Sequence, residues 1–176
     1  GRPGPPPAAT STLRVAPDIA ARRAQFVQKV LDAEVSHLSP GDRLALGHLV
    51  QAAGTVDRIF RRQAWAGNEA FAPQVAALAG ADAAAAQDYY RIMYGPWDRL
   101  RGFEPFLGEA PRPRGAGFYP EDLAAGEIEA HLAAHPEERA AFVSPTTVIR
   151  RQEGRLVAVP YSQVYADLLT EAAEKL

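Results

Sequence analysis

The chain has 176 residues, a formal net charge of -2 and no cysteine. A chain of this length fits one domain, and burial of roughly 68–70% of the unfolded surface gives it a sizeable core without disulfides. The near-neutral charge argues against an overall field that attracts nucleic acid, and the lack of thiols excludes disulfides and thiolate metal sites. No apolar run approaches the ~18 residues of a membrane span, so we expect none.

Residues 1–16 are predicted to form a disordered tail, because the proline-rich residues 1–7 cannot form a helix or a sheet. Such a start fits either a remnant of cloning or a mature end exposed after a leader is removed. The second alternative slightly favours an exported bacterial protein, while cytoplasm, periplasm and secretion all stay open. Residues 17–176 are predicted to form a single, mostly helical domain.

Two long amphipathic helices are predicted first, over residues 18–38 and 40–65, because apolar residues recur at steps of three and four. Ser39 can cap the second helix, and Pro40 fits its first turn. Because the connecting turn is short, we expect the two helices to pack as an antiparallel pair. The predicted core stripe of the second helix comprises Leu44, Leu46, Leu49, Val50, Ala53, Val56, Ile59 and Phe60.

Two shorter helices are predicted next, over residues 72–79 and 82–94. Gly67 can end the preceding helix in the left-handed conformation. Pro73 is tolerated only in a first helical turn, which sets the start of the third helix. Asp82 is placed to cap the fourth helix.

A long irregular segment is predicted over residues 95–118, which hold four prolines and five glycines. Segments of this length inside compact domains are usually functional or mobile. A helix over residues 120–135 follows, and Pro136 begins another short one.

The helical spacing of apolar residues then gives way to two runs rich in β-forming residues, 146–151 and 155–159. These runs predict an antiparallel hairpin. Residues 162–176 are predicted to be helical, and this pattern stops without a cap, which predicts that the chain is part of a longer protein. The predicted fold class is therefore α+β: mainly α-helical, with an antiparallel helix pair, a long irregular loop and a small β-hairpin.

His131 and His135 stand four residues apart on a predicted helix, which is a spacing used by metal ligands. The zinc-peptidase version of this motif needs a glutamate after the first histidine, and position 132 is leucine. Sequence suggests no third ligand. We therefore interpret the pair as exposed histidines near a helix end, where their positive form meets the negative end of the helix dipole.

Other catalytic patterns are not found in the sequence. His37 and His48 adjoin no plausible nucleophile with an orienting acid, and there is no Gly-x-Ser-x-Gly elbow or phosphate-binding loop. The adjacent acid pairs at residues 121–122 and 137–138 are better explained as helix-start residues that the helix dipole favours.

The turn at residues 94–98 combines a rigid Gly-Pro corner with two aromatic side chains, Tyr94 and Trp97. Such rings offer broad faces with polar tips, which suits a platform for a peptide or a ring. The other interpretation is that these aromatic residues only cover the helical core. Both stay open, as does the choice for Asp98 between contacting a ligand and pairing with Arg99.

Blocks of the sequence follow one another in a specific order: VDRIFRRQAWAGN at residues 56–68, YYRIMYGPWDRL at 89–100, PFL at 105–107, GAGFYPED at 115–122 and TVIRRQEGRLVAVPY at 147–161. Together they resemble the N-terminal, non-metal part of bacterial members of the dipeptidyl peptidase III family of zinc metallopeptidases. The resemblance covers about residues 18–176. It departs from the family at Arg58 and Arg61, where those relatives tend to have an acid and an aromatic residue.

The family holds its zinc with a His-Glu-x-x-Gly-His helix and a downstream glutamate on a later lobe, and no position of this chain matches those residues. The resemblance implies that this chain forms one wall of the peptide-binding cleft, without catalytic or metal-binding residues, and is inactive alone. Its partners would be the C-terminal zinc-bearing lobe and a peptide substrate, and zinc would be a cofactor of the full-length parent only. From chemistry and placement, the candidate substrate contacts are Tyr94, Trp97, Asp98, Tyr119 and Asn68.

Two alternatives stay open beside the peptidase lobe. The first is a stand-alone, non-catalytic peptide-binding or protein-interaction domain, which would be polar where a second lobe docks. A large exposed apolar patch would instead favour the lobe. The second is nucleic-acid binding through the arginines, which the slightly acidic charge balance disfavours.

Overall fold

The computed structural model describes residues 13–176, and most of the predicted tail lies outside the described residues. The described contacts divide into two compact units. Unit 1 comprises the chain up to Val27 together with Ala70–Pro111, and unit 2 comprises Gln28–Glu69 and Arg112–Leu176. Across residues 13–176, eight α-helices accompany two antiparallel two-stranded sheets, which confirms the predicted mainly helical α+β class.

Unit 1 is built around helix α4, Ala83–Met93, which packs against the short helix α1, Ile19–Ala24. Tyr89 lies at the centre of its core, with its ring centroid 4.8 Å from that of Phe106 in an edge-to-face contact. Rings in this arrangement attract one another beyond their buried area. The fully enclosed members of this core are Ile19, Ala86, Tyr89 and Phe106.

The predicted irregular segment of unit 1 contains a two-residue strand pair, β1 at Trp97–Asp98 and β2 at Glu104–Pro105. Residues 13–16, which the sequence assigned to the tail, pair with this segment: Val15 forms a bridge with Leu107, and the Ala16 N–H donates to the Phe106 carbonyl at 2.9 Å. Backbone hydrogen bonding to the buried residues Phe106 and Leu107 thus orders residues 13–16, which composition alone had assigned to a tail.

Unit 2 contains the longest helix, α2 at Pro40–Ala64, and ends with the helices α7, Tyr161–Val164, and α8, Ala166–Glu174. The C-terminal half of α2 packs against α8 through a small core that includes Ile59, Tyr165 and Leu168. As predicted, the Ser39 hydroxyl accepts a hydrogen bond from the Asp42 N–H at 3.1 Å and caps α2.

The rest of unit 2 combines helix α5, Glu127–Ala134, a 3₁₀ turn at Pro136–Glu138 and helix α6, Arg139–Phe142, with the predicted hairpin. The hairpin strands are β3, Thr147–Gln152, and β4, Arg155–Pro160. The turn has two residues rather than the predicted three, because Gln152 pairs with Arg155. Glu153 and Gly154 both have positive φ, 50° and 80°, as a turn that matches the strand twist requires.

The predicted first helix is wrong in its length. Helix α1 has only 6 residues and ends at Ala24, so residues 18–38 do not provide one half of a long antiparallel pair. The apolar side chains that follow it are open to solvent: Val27, Val30 and Leu31 are 81–90% exposed. A segment with apolar residues at helical spacing forms a stable helix mainly where a neighbouring element covers those residues. Within residues 13–176, no element covers Val27, Val30 and Leu31.

The predicted core stripe of α2 is also wrong. Of its eight residues, Ile59 is buried, whereas Leu44, Leu49, Val50, Val56 and Phe60 are 44–66% exposed. The residues that α2 buries are Ala52, Thr55, Ile59 and Ala64. The sequence period correctly identified an amphipathic helix but not the face that α8 covers.

Three further helix boundaries differ from the prediction. Helix α3 runs over Asn68–Ala76 and contains Pro73 in its interior, whereas the sequence placed that proline in the first turn. Gly67 does not take the left-handed conformation; Tyr94 does so instead, at the end of α4, with φ of 54°. Helix α5 begins only at Glu127, after turns over residues 120–126. Among the helices of residues 13–176, none is long and apolar enough to cross a membrane.

Candidate functional site

Tyr119 lies at the edge of a cavity of about 460 Å³ that is formed within unit 2. Pockets of a few hundred Å³ with apolar and aromatic walls are the usual form of small-ligand sites. The walls come from the segment before α5, from helices α5 and α6, from the hairpin and from the start of α7; they include Phe118, Tyr119, Leu132, Phe142, Thr147 and Tyr161.

The segment that carries Tyr119 is fixed by backbone contacts on both sides. The Gly117 N–H donates to the Gln63 carbonyl of α2 at 3.0 Å, and the Ile149 N–H of β3 donates to the Phe118 carbonyl at 2.8 Å. Arg150 adds a hydrogen bond from Nη2 to the Gly117 carbonyl at 3.0 Å. These contacts tie the segment before Tyr119 to α2 and β3, which fixes the backbone that positions the Tyr119 ring.

Two glycines allow this close approach. A Cβ atom on Gly117 would lie 2.0 Å from the carbonyl oxygen of Arg62, which is a main-chain atom. Gly115 has φ of +78°, and a Cβ there would lie 2.6 Å from Cδ2 of the Tyr119 ring. Only glycine fits the first position, and only glycine adopts the second conformation without strain. The sequence block GAGFYPED is therefore explained by backbone geometry.

An ion-pair cluster links the hairpin to the start of helix α5, next to Ile128, which lines the cavity. Arg151 donates from Nη1 to Glu127 Oε1 at 2.7 Å and from Nε to Asp122 Oδ2 at 3.0 Å. The Ala124 N–H also donates to Glu127 Oε2 at 3.0 Å. Hydrogen bonds from Arg151 and then from the Ala124 N–H lower the pKa of Glu127 from 4.5 to about 2.

This shift predicts a specific response to acid. Because the pKa of Glu127 is lower in the folded protein, its stabilising contribution is present above about pH 4.5 and is lost as the pH falls towards 2. We expect Glu127→Gln to lower the melting temperature at pH 7 and to converge with the original protein near pH 2. Thermal unfolding between pH 2 and 7 measures this. Glu129→Gln, an exposed substitution on the same helix, is the control and should change stability little.

Asp98 lies at the centre of a buried polar network in unit 1. Its side chain is fully buried and accepts hydrogen bonds from Arg22 Nη1 and the Tyr89 hydroxyl, each at 2.9 Å. Its other oxygen accepts the Leu100 N–H at 2.9 Å. Burial and then the hydrogen bond to Asp98 raise the pKa of Tyr89 to about 12. Because Arg22 also pairs with Asp18 and Glu104, the network joins α1, α4 and the strand pair.

The other candidate contacts of the sequence occupy different surroundings. Trp97 is buried and donates from Nε1 to the Ala110 carbonyl at 2.7 Å, while Tyr94 is half-buried in the same unit. Asn68 is buried in unit 2 and donates from Nδ2 to the Arg61 carbonyl at 2.8 Å. Unit 1 therefore contains Tyr94, Trp97 and Asp98, which lie within five consecutive residues of the sequence. Substrate contact by any of the five candidates stays a prediction.

The structure adds acidic neighbours to the histidine pair that sequence analysis missed. His131 Nε2 lies 2.7 Å from Glu138 Oε2, and His135 Nδ1 lies 3.5 Å from Glu137 Oε1. His135, Glu137 and Glu138 present ligand atoms within 4.8 Å of one another. Glu137 and Glu138 follow His135 by two and three residues, across the 3₁₀ turn that begins at Pro136. This spacing is the sequence signal that could have located the group.

This group does not fit the catalytic zinc that the family resemblance implies. Both oxygens of Glu138 are already engaged, one with His131 and the other with Arg155. The hydrogen bond to His131 lowers the pKa of Glu138. A catalytic zinc site needs three protein ligands with an open position, and a general base next to it. The arrangement is explained as a His131–Glu138 hydrogen bond and a His135–Glu137 contact at a helix end.

Comparison with solved structures identifies relatives of this fold. The structure of dipeptidyl peptidase III from Caldithrix abyssi is 40% identical, with a TM-score of 0.84 over 89% of this chain. That of dipeptidyl-peptidase III from Corallococcus sp. strain EGB is 31% identical, with a TM-score of 0.85 over 93% of it. The chain is similar to part of dipeptidyl peptidase III. It spans 30% and 31% of the length of these two proteins.

A curated plant protein also matches. Nudix hydrolase 3 from Arabidopsis thaliana is 28% identical over 198 aligned residues, which cover 83% of this chain and 26% of that protein. No protein-family model matches the chain. Because the match covers about a quarter of the plant protein, its name describes that protein and does not transfer to this chain.

Proposed function

We propose that this chain forms the non-metal part of a zinc-dependent, dipeptidyl peptidase III-like enzyme and contributes one wall of its peptide-binding cleft. The observation that carries this proposal is the agreement in fold and sequence with two solved dipeptidyl peptidases III over about nine-tenths of the chain. The plant match names a hydrolase of another class, but its identity is lower and it covers a smaller share of this chain.

The cavity beside Tyr119 is the proposed contact for the peptide. The Tyr119 ring offers an apolar face and a hydroxyl tip, and the rings of Phe118 and Tyr161 line the same cavity. Such a surface suits an apolar side chain of a peptide, whose backbone the Tyr119 hydroxyl can bind. Asp98, Trp97 and Asn68 act mainly through the folded structure, since each is buried with an intramolecular hydrogen bond.

Zinc, when bound by the parent enzyme, supplies a Lewis acid that polarises the scissile carbonyl and activates a water molecule. In this proposal, Tyr119 and the other residues that line the cavity bind and orient the peptide. Positioning of this kind contributes to catalysis because it holds the reacting groups in a productive geometry.

The test is a dipeptide-release assay on the complete protein that the gene encodes, in the presence of zinc. We expect Tyr119→Ala to raise KM about tenfold with a smaller change in kcat, because it removes an aromatic contact to the substrate. Tyr119→Phe, which keeps the ring, is the matched control and should raise KM much less. The purified 176-residue chain with zinc should release no dipeptide.

Two results would contradict the proposal. One is zinc-dependent turnover by the pure 176-residue chain, and the other is no dipeptide release by the complete protein. The alternative of a stand-alone peptide-binding domain is supported by one observation, since the cavity is formed wholly within unit 2. Peptide binding by the 176-residue chain, combined with an inactive complete protein, would favour that alternative.

A further inference from the structure

A second cavity lies in unit 2 beside the proposed peptide site. Its volume is about 290 Å³, against about 460 Å³ for the cavity already described, and the two are named here the second and the first cavity. Tyr119 and Ile128 line both cavities, so the two share a wall. The rest of the second cavity includes Gly115, Leu123, Ala124 and Ala125. Adjoining cavities of this kind can take two groups of one ligand.

The shared wall is held firmly. The ring of Tyr119 packs directly on the main chain at Gly115, where a Cβ atom would lie 2.6 Å from its Cδ2 atom. Tyr119 and Ile128 also pack against the core of unit 2 that contains Phe142 and Ile149. A wall fixed in this way needs little ordering when a ligand binds, which favours affinity.

The first cavity is suited to an uncharged group. Among the described residues, those that line it carry no charged side chain. An ionised ligand group would lose its hydration there without gaining a charged partner. The hydroxyls of Tyr119 and Tyr161 make no hydrogen bond within residues 13–176, so they are available to polar atoms of a peptide backbone.

The second cavity combines aliphatic walls with two exposed side chains of opposite charge, Arg114 and Glu129. Within the described part of the chain, these two pair neither with each other nor with another residue. An anionic ligand would meet Glu129, and a cationic one would meet Arg114. A neutral peptide group suits both, because its carbonyl can accept from Arg114 and its N–H can donate to Glu129.

We infer that the second cavity is a further subsite for the same peptide, so that the two cavities bind uncharged side chains of residues i and i+2 of one extended chain that crosses Tyr119. The inference rests on the proposed function. Side chains i and i+2 of an extended chain lie on the same face, about 7 Å apart. Carbon atoms contact at about 3.5–4.0 Å, so groups on opposite sides of one ring lie about 7–8 Å apart. The two spacings agree.

The test measures peptide affinity by fluorescence anisotropy on the complete protein, with zinc removed by a chelator so that no peptide is consumed. The probes are five-residue alanine peptides with a C-terminal fluorophore, each with one leucine at a different position. We expect leucine to raise affinity about tenfold at two positions separated by one residue, because each buries an apolar side chain.

Two variants assign these positions to the cavities. Ala125→Leu, which fills the second cavity, should abolish the gain at one position, and Val143→Phe, which narrows the first cavity, should abolish the gain at the other. Ala130→Leu is the matched control, since Ala130 lies on α5 and lines neither cavity; it should leave both gains unchanged. All three replaced residues are exposed, so the fold should tolerate the changes.

A gain at one position only, gains at positions not separated by one residue, or loss of the same gain in both cavity variants would overturn the inference. Dipeptide release is assayed separately on the complete protein with zinc present. The expected affinity pattern without dipeptide release supports the second subsite and contradicts the proposed function. Dipeptide release without that pattern contradicts the second subsite alone.

Discussion

We expect Asp98→Ala to lower the free energy of unfolding of unit 1 by about 3–5 kcal/mol, the usual cost of removing one partner from a buried ion pair. The Asp98 carboxylate is fully buried, and its loss leaves the guanidinium of Arg22, itself only 8% exposed, without its innermost partner. The Tyr89 hydroxyl and the Leu100 N–H also lose their acceptor. Each buried donor left without a partner adds to the cost.

The measurement is chemical denaturation followed by the fluorescence of Trp97, in a Trp65→Phe background so that the signal comes from unit 1. Glu104→Ala is the matched control, because Glu104 contacts the same arginine at 2.7 Å but is 47% exposed. Exposed ion pairs contribute about 1 kcal/mol at most, so the control should unfold close to the original protein. Equal losses for the two variants would show that Asp98 is not the centre of the network.

The second large effect is expected for Gly117→Ala, which should destabilise unit 2 by about 3 kcal/mol. Its added methyl group would lie 2.0 Å from the Arg62 carbonyl oxygen, and the backbone there cannot move without breaking the hydrogen bond from Gly117 to Gln63. The same displacement would move Tyr119, two residues further along. Urea denaturation followed by circular dichroism measures the change.

Gly47→Ala is the control for that experiment. Gly47 lies in the exposed interior of α2, and a Cβ there meets no atom within 4 Å. Because alanine has the higher helix propensity, we expect this variant to be more stable by about 0.5–1 kcal/mol. If both alanine variants changed stability alike, the close approach at Gly117 would not be what requires glycine there.

Local signals in the sequence were enough for elements whose stability is local. The cap of α2 at Ser39, the helix α4 and the β3–β4 hairpin were all predicted, because each depends on neighbours a few residues away. The aromatic block at residues 89–100 was recognised as important. Its two interpretations could not be separated from sequence, since the arginine that contacts Asp98 comes from 76 residues earlier in the chain.

The candidate site was predicted only in part for the same reason. Tyr119 was selected for its chemistry, but the cavity beside it is assembled from α5, α6 and the hairpin, which a residue pattern does not bring together. The neighbours of His131 were missed, because the sequence interpretation treated Glu138 as a helix-start acid. Their contact depends on the turn at Pro136, which directs the chain back towards the histidine.

Composition and period alone thus establish a mainly helical α+β chain without cysteine chemistry, and the ordered sequence blocks indicate its relatives. Which side of α2 is buried could not follow from them, because both sides carry apolar residues and only the packing of α8 distinguishes them. The length of α1 likewise depended on whether a neighbour covers Val27 and Val30. Periodicity specifies that a helix has an apolar face; long-range contacts determine what that face meets.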